Sequence, residues 1–117
     1  MLKRSLLALV ASTFPAFADA PVIKNVNAKL VGDLWTFDVT LRHGDTGWED
    51  YADAWRVLDK DGKVLGLRNL AHPHVDEQPF TRSLSGVSIP RDVTEVAVQA
   101  RDSVGGWSPT TVTVKLR

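Results

Sequence analysis

The sequence predicts a single all-β domain, and three observations carry that prediction. Short runs of β-type residues alternate with turn signals at roughly ten-residue spacing, a pattern typical of a sandwich or a barrel. No helical period extends beyond one turn in these runs. The chain beyond its N-terminal leader is about a hundred residues long, which suits one domain with one core.

Seven strands follow in order, each bounded by a turn signal. Residues 22–31 and 34–42 flank Gly32-Asp33 and read as a hairpin. Large apolar residues occupy every second position of the second strand, and Trp35 is expected in the core with Trp55 of the third. The remaining predicted strands are residues 52–59, 63–68, 80–89, 93–102 and 110–116.

The first twenty residues, "MLKRSLLALVASTFPAFADA", have the order of a secretory signal peptide. Lys3 and Arg4 precede an apolar run, and Ala18 and Ala20 form an A-x-A site. We therefore expect cleavage after Ala20, with cleavage after Ala18 as the nearest alternative. The apolar part is too short to span a bilayer. The sequence thus predicts residues 1–20 as a leader and residues 21–117 as an exported, periplasmic domain.

Composition excludes several classes of function. The chain has 14 Lys and Arg against 14 Asp and Glu, and removal of the leader leaves the balance close to neutral. A broad basic surface for nucleic acid or anionic lipid is therefore not expected. There is no cysteine, and Met1 is the single methionine. Disulfides, thiolate chemistry and a soft Cu(I) site are excluded for the same reason.

One segment supports a resemblance to a known family. "VAVQARDSVGGWSP", residues 96–109, is similar to the penultimate strand and last loop of fibronectin type III-like domains. Trp35 lies where such domains often bury a tryptophan. The resemblance implies a seven-stranded antiparallel β-sandwich, either fibronectin type III-like or immunoglobulin-like. Fold alone implies no activity.

In that topology the connections after the second, fourth and sixth strands lie at one end of the sandwich. Each of these connections carries chemically active residues, whereas the other end receives plain turns. The topology therefore predicts that His43, His72 and His74 lie near one another.

These histidines suggest a metal site. Pro73 biases His72 toward an extended backbone, and residues i and i+2 of an extended segment project to one side. With His43 as a third ligand, the three imidazoles would suit Cu(II), which the Irving–Williams order favours, or Zn(II). Water would fill a remaining position. Asp45, Asp76 and Glu77 are candidates for acceptors behind the imidazoles or for a fourth ligand.

The same loops support a second interpretation, an exported interaction module that binds a protein partner or a cell-envelope glycan. Aromatic side chains on loops are typical anchors, and Trp48, Tyr51 and Trp107 are the candidates here. Trp107 has an alternative role as a lid over the core. No G-x-S-x-G nucleophile pattern occurs, and we expect no enzyme activity.

Overall fold

The protein's structure is a computed structural model, in which residues 20–117 are described. The predicted leader, apart from Ala20, lies outside the described residues. Eight strands make up the described chain: β1 (Val22–Val31), β2 (Leu34–Arg42), β3 (Ala52–Leu58), β4 (Val64–Asn69), β5 (Phe80–Val87), β6 (Glu95–Asp102), β7 (Gly106–Trp107) and β8 (Val112–Lys115). Residues 20–117 contain no helix, which confirms the all-β prediction.

The strands form two antiparallel sheets. The smaller sheet has the order β1-β2-β5, and the larger sheet has the order β4-β3-β6, with β7 and β8 both pairing with β6. Neighbouring strands run in opposite directions throughout. Short connections between consecutive strands are what antiparallel pairing allows.

Both sheets contribute to one apolar core. In β2 the predicted alternation is confirmed, because every second residue from Trp35 to Leu41 is buried. Trp55 is fully buried in β3, so the assignment of both strand tryptophans to the core is also confirmed. The main members of the core are Trp35, Phe37, Val39, Leu41, Trp55, Val57, Leu70, Phe80, Val96 and Val98.

The end of the chain corrects the expected strand count, which is eight rather than seven. The predicted last strand, residues 110–116, is preceded by the separate two-residue strand β7. Pro109 stands between β7 and β8 and has no N–H group for a ladder hydrogen bond, so it interrupts the pairing with β6. Ser108 still donates its N–H to Ala100 O (2.8 Å) before the break.

Strand pairing brings three connections to one end of the molecule. The register places Leu41 opposite Phe80, and Ala52 opposite Asp102. The end of β2, the starts of β3 and β5 and the end of β6 are therefore neighbours. We call the connections at this end the β2–β3 loop (residues 43–51), the β4–β5 loop (70–79) and the β6–β7 loop (103–105).

Candidate metal centre

His43 is the central residue of this end. It follows the last residue of β2, and its backbone N–H donates to Gln78 Oε1 at 3.0 Å. Its side chain is only 1% exposed. One ring nitrogen, Nδ1, lies 2.6 Å from Asp45 Oδ1, so Asp45 fixes the orientation of the ring.

The other ring nitrogen of His43 faces two carboxylates. Nε2 lies 3.3 Å from Asp102 Oδ2 and 3.8 Å from Asp50 Oδ1. Asp102 is the last residue of β6 and is 2% exposed, whereas Asp50 lies in the β2–β3 loop, two residues before β3, and is 21% exposed. The site is therefore closed except on the side of Asp50.

Asp102 is held rigidly for this role. Its Oδ1 accepts the backbone N–H of Val104 at 2.9 Å and that of Gly105. These bonds form the turn that leaves β6, and they direct Oδ2 toward the imidazole. The carboxylate is thus positioned before any ligand arrives.

Asp45 connects His43 to the neighbouring segments. Besides the imidazole, its Oδ1 accepts the N–H of Ala52 at 3.1 Å. Its Oδ2 accepts the N–H of His74 at 2.7 Å. Three hydrogen-bond donors on one buried carboxylate fix its position and connect three segments of the chain.

The carboxylates of Asp45, Asp50 and Asp102 surround the His43 ring and favour a positive charge on it or beside it. If Asp45 receives the Nδ1 proton of a neutral His43, the lone pair of Nε2 points at two carboxylate oxygens. A proton on Nε2 resolves this conflict. Burial alone lowers the pKa of His43, but the hydrogen bond to Asp45 and the charges of Asp45, Asp102 and Asp50 outweigh burial and raise that pKa above 6.5.

A metal ion at Nε2 would resolve the same conflict. Within residues 20–117, His43, Asp50 and Asp102 each offer a ligand atom, and these atoms lie within 4.8 Å of one another. Tetrahedral bonds of about 2.0–2.1 Å separate neighbouring ligand atoms by roughly 3.4 Å. The 3.3 Å between His43 Nε2 and Asp102 Oδ2 fits that value, and Asp50 at 3.8 Å needs a small inward movement.

His74 has a different environment from His43. It is buried, and its ring stacks on Phe80 with 3.9 Å between centroids. Its Nε2 lies 2.7 Å from a guanidinium nitrogen of Arg82 and therefore accepts a hydrogen bond. Burial and then the charges of Arg82 and His72 lower the pKa of His74. A metal ion at this Nε2 would first have to displace the arginine.

His72 is exposed, with its Nδ1 3.1 Å from Pro73 O. Its ring lies near that of His74, with 4.7 Å between centroids. The three predicted ligands thus lie at one end of the molecule: Asp45 joins the ring of His43 to the backbone of His74, and His72 lies beside His74. The ligand group within mutual reach in residues 20–117 nevertheless joins His43 to two aspartates, not to His72 and His74.

The three carboxylates predicted from the sequence occupy different positions relative to His43. Asp45 contacts Nδ1 of the His43 ring, which is the position expected for a carboxylate that accepts a hydrogen bond from a ligating imidazole. Asp76 and Glu77 are exposed, and Glu77 Oε1 lies 3.6 Å from Arg82 and 4.0 Å from His74 Nε2. Sequence reasoning missed both Asp50 and Asp102 as ligand candidates. The available signal was their position, since each stands where a strand of the larger sheet meets a loop.

The aromatic candidates occupy three settings. Trp48 is 68% exposed on the β2–β3 loop, and its ring makes an edge contact with Tyr51 at 5.5 Å between centroids. Trp107 is half-buried in β7, with the guanidinium of Arg56 3.8 Å from its ring centroid. Trp107 therefore packs against an arginine of the larger sheet.

The described part of the chain, residues 20–117, includes no helix of the length and apolarity needed to cross a membrane.

Comparison with known proteins gives one informative relative. The chain is 42% identical over 71 residues to a protein of Halomicrobium mukohataei described as "Putative lipoprotein". The match covers 61% of this chain and 34% of the relative, so the chain spans about a third of the relative's length. No family model matches the chain, and no solved structure matches it.

Proposed function

We propose that this protein is an exported metal-binding protein that holds a divalent ion between His43, Asp50 and Asp102. The observation that supports this proposal best is the convergence of one imidazole nitrogen and two carboxylate oxygens in a nearly closed site. Asp45 occupies the position of a carboxylate that orients a ligating histidine through its second nitrogen.

We propose Cu(II) as the ion, with Zn(II) as the alternative. An imidazole suits copper and zinc, and the Irving–Williams order favours Cu(II) at an unselective nitrogen and oxygen site. The absence of cysteine, with Met1 as the single methionine, leaves no set of soft ligands for Cu(I). Two aspartates would balance the charge of a divalent ion, and water would complete the coordination from the side of Asp50.

We propose binding and not catalysis as the role of the site. His43 and Asp102 are almost fully enclosed, and access is limited to the side of Asp50. A substrate would have little contact surface there, because catalytic pockets usually enclose much of their ligand.

Export to the cell envelope, and specifically to the periplasm, forms the second half of the proposal. The pattern of residues 1–20 supports it, because a basic start, an apolar run and an A-x-A site are typical of a signal peptide. The description of the Halomicrobium mukohataei relative as a lipoprotein agrees with an envelope location.

For the fold, we propose a sandwich of the fibronectin type III-like type. The strand order supports this, because β1, β2 and β5 form one sheet while β3, β4, β6 and β8 belong to the other. Those groups correspond to the two sheets that such domains have.

Metal titration of the protein tests the binding proposal. Protein produced from the full chain without an affinity tag is stripped with a chelator and titrated with Cu(II) and Zn(II) by calorimetry. We expect one ion per protein, with an affinity that Asp50→Asn and Asp102→Asn each lower by at least about tenfold. Nitrogen hyperfine structure of bound Cu(II) should come from one imidazole and disappear in His43→Gln.

His72→Ala provides the matched control, because His72 is an exposed histidine of the same loop end. If the proposed ligand group is right, this variant binds as the wild type does. Loss of binding in His72→Ala with full binding in Asp102→Asn would instead favour the three-histidine set. Absence of any binding below millimolar concentration would reject both.

A further inference from the structure

The three loops carry charge of one sign, although arginines of the adjoining strands lie close to them: Arg42 is exposed directly before His43, and Arg82 lies 3.6 Å from Glu77 Oε1. The β2–β3, β4–β5 and β6–β7 loops contain no lysine or arginine. They contain acidic residues in two of the three loops, and those with exposed side chains are Glu49, Asp76 and Glu77. A metal ion between His43, Asp50 and Asp102, or a proton on His43, would leave these exposed carboxylates unchanged.

Each of the three loops also exposes a large apolar side chain. Trp48 is 68% exposed, Val75 is 53% exposed and Val104 is 65% exposed. Single exposed apolar residues are common on protein surfaces and need no explanation. Three exposed apolar residues on adjacent loops, one of them a tryptophan, are typical of the centre of a protein interface that is surrounded by polar residues.

Hydrogen bonds between the loops hold this surface in place. Asp45 of the β2–β3 loop accepts the N–H of His74 at 2.7 Å. Tyr51 exchanges two bonds with Ser103 of the β6–β7 loop, since Ser103 N–H donates to Tyr51 O at 2.9 Å and Tyr51 N–H donates to Ser103 Oγ at 3.1 Å. A surface ordered in advance loses little conformational entropy when a partner binds.

We propose that the three loops form a docking surface for a protein segment that combines lysine or arginine with apolar residues. Trp48 is the anchor, with Val75 and Val104 as further apolar contacts. Glu49 and Asp76 attract the basic groups and set the orientation of the segment, and Glu77 contributes less because its carboxylate lies 3.6 Å from Arg82. Nucleic acid and anionic lipid would be repelled by the same rim.

The test uses a short synthetic peptide of alternating lysine and leucine pairs, added to isotopically labelled protein in about 150 mM salt, where weak surface attraction is largely screened. Two matched peptides replace lysine by glutamate or leucine by serine. We expect backbone amide shifts confined to the three loops, with the lysine and leucine peptide binding at least about tenfold more tightly than either control, equivalent to about 1.4 kcal/mol.

Variants locate the surface. Trp48→Ser should weaken the peptide at least about fivefold, as expected for an aromatic anchor. Leu30→Ser should leave binding unchanged, because Leu30 is 53% exposed at the opposite end of the molecule, beside the β1–β2 turn. Neither residue belongs to the proposed metal site, so metal binding should be retained in both.

Several results would overturn the inference. If the peptide with serine in place of leucine binds equally well, charge alone accounts for the binding. If the amide shifts centre on the β1–β2 turn, the docking surface lies elsewhere. Binding of simple methyl glycosides with no peptide binding would identify a glycan surface instead. Concentration-dependent self-association that Trp48→Ser abolishes would identify a second copy of the chain as the occupant. Peptide binding is measured with chelator and with Zn(II), so failure of the metal site is recorded separately.

Discussion

Asp45 is the residue on which the candidate metal centre depends most, although it is not one of the proposed ligands. It holds the Nδ1 side of His43 and binds the N–H groups of Ala52 and His74. Only a carboxylate can accept all three donors, because an amide side chain would turn a donor toward one of them.

Asp45→Asn should therefore weaken metal binding by about 10- to 100-fold, the usual range for a group that orients a ligating histidine. Calorimetric titration measures the loss, and the His43 ring nitrogen shifts report whether its tautomer has changed. Asp76→Asn is the control, because Asp76 is an exposed carboxylate of the same end. Equal affinity in wild type and Asp45→Asn would contradict the positioning role.

The two buried histidines should titrate on opposite sides of the ordinary histidine pKa of 6.5 in the metal-free protein. Burial and the charge of Arg82 hold the pKa of His74 below 6.5, whereas Asp45, Asp102 and Asp50 raise that of His43 above it despite burial. An NMR titration that follows the ring resonances of the two histidines measures both pKa values. A His43 pKa below that of His74 would refute the electrostatic description of the site.

These shifts predict how the stability of the metal-free protein depends on pH. Below 6.5 the unfolded chain binds the His74 proton more readily than the folded chain, so stability rises with pH toward 6.5. Above 6.5 the folded chain retains the His43 proton longer, so stability falls until pH passes the raised pKa. Denaturant unfolding should show a maximum near pH 6.5, and His43→Gln should remove the decline above it.

At the scale of elements, β4 illustrates how closely the two sheets approach. A Cβ atom at Gly66 would lie 2.9 Å from Leu84 Cδ2 and 3.3 Å from Val87 Cγ2, both side chains of β5 in the other sheet. Arg68, also in β4, donates from Nε to Ser83 O of β5 at 2.8 Å. Glycine at this position is thus a packing requirement between β4 and β5.

Gly66→Val should lower the free energy of unfolding by about 1–3 kcal/mol, because overpacking forces neighbouring side chains to move. Gly44→Val is the control, since a Cβ at Gly44 meets no heavy atom within 4 Å. Urea unfolding of both variants measures the difference. A loss in Gly44→Val as large as that in Gly66→Val would show that glycine itself, and not sheet packing, determines the effect.

For the whole molecule, the central prediction concerns export. Intact-mass measurement of the protein from the cell envelope should give the mass of residues 21–117, because the A-x-A site places cleavage after Ala20. A mass corresponding to cleavage after Ala18 would support the neighbouring site. Protein that retains Met1 and remains in a cytoplasmic pool would contradict the proposed location.

Much of this protein is determined by sequence pattern alone. The period of two in β2 predicts which side chains enter the core, and the structure buries Trp35, Phe37, Val39 and Leu41 as expected. Local turn residues predict the short connections. Such features follow from neighbours along the chain, which are visible in the sequence.

The choice of partners around His43 was decided only by the tertiary structure. Asp102 is distant from His43 in sequence and meets it because the β3–β6 register places Ala52 opposite Asp102. His74, which the His-x-His spacing suggested as a ligand, instead accepts a hydrogen bond from Arg82 and stacks on Phe80. Spacing limits which residues can share a side of a segment, but strand register and packing determine what those side chains face.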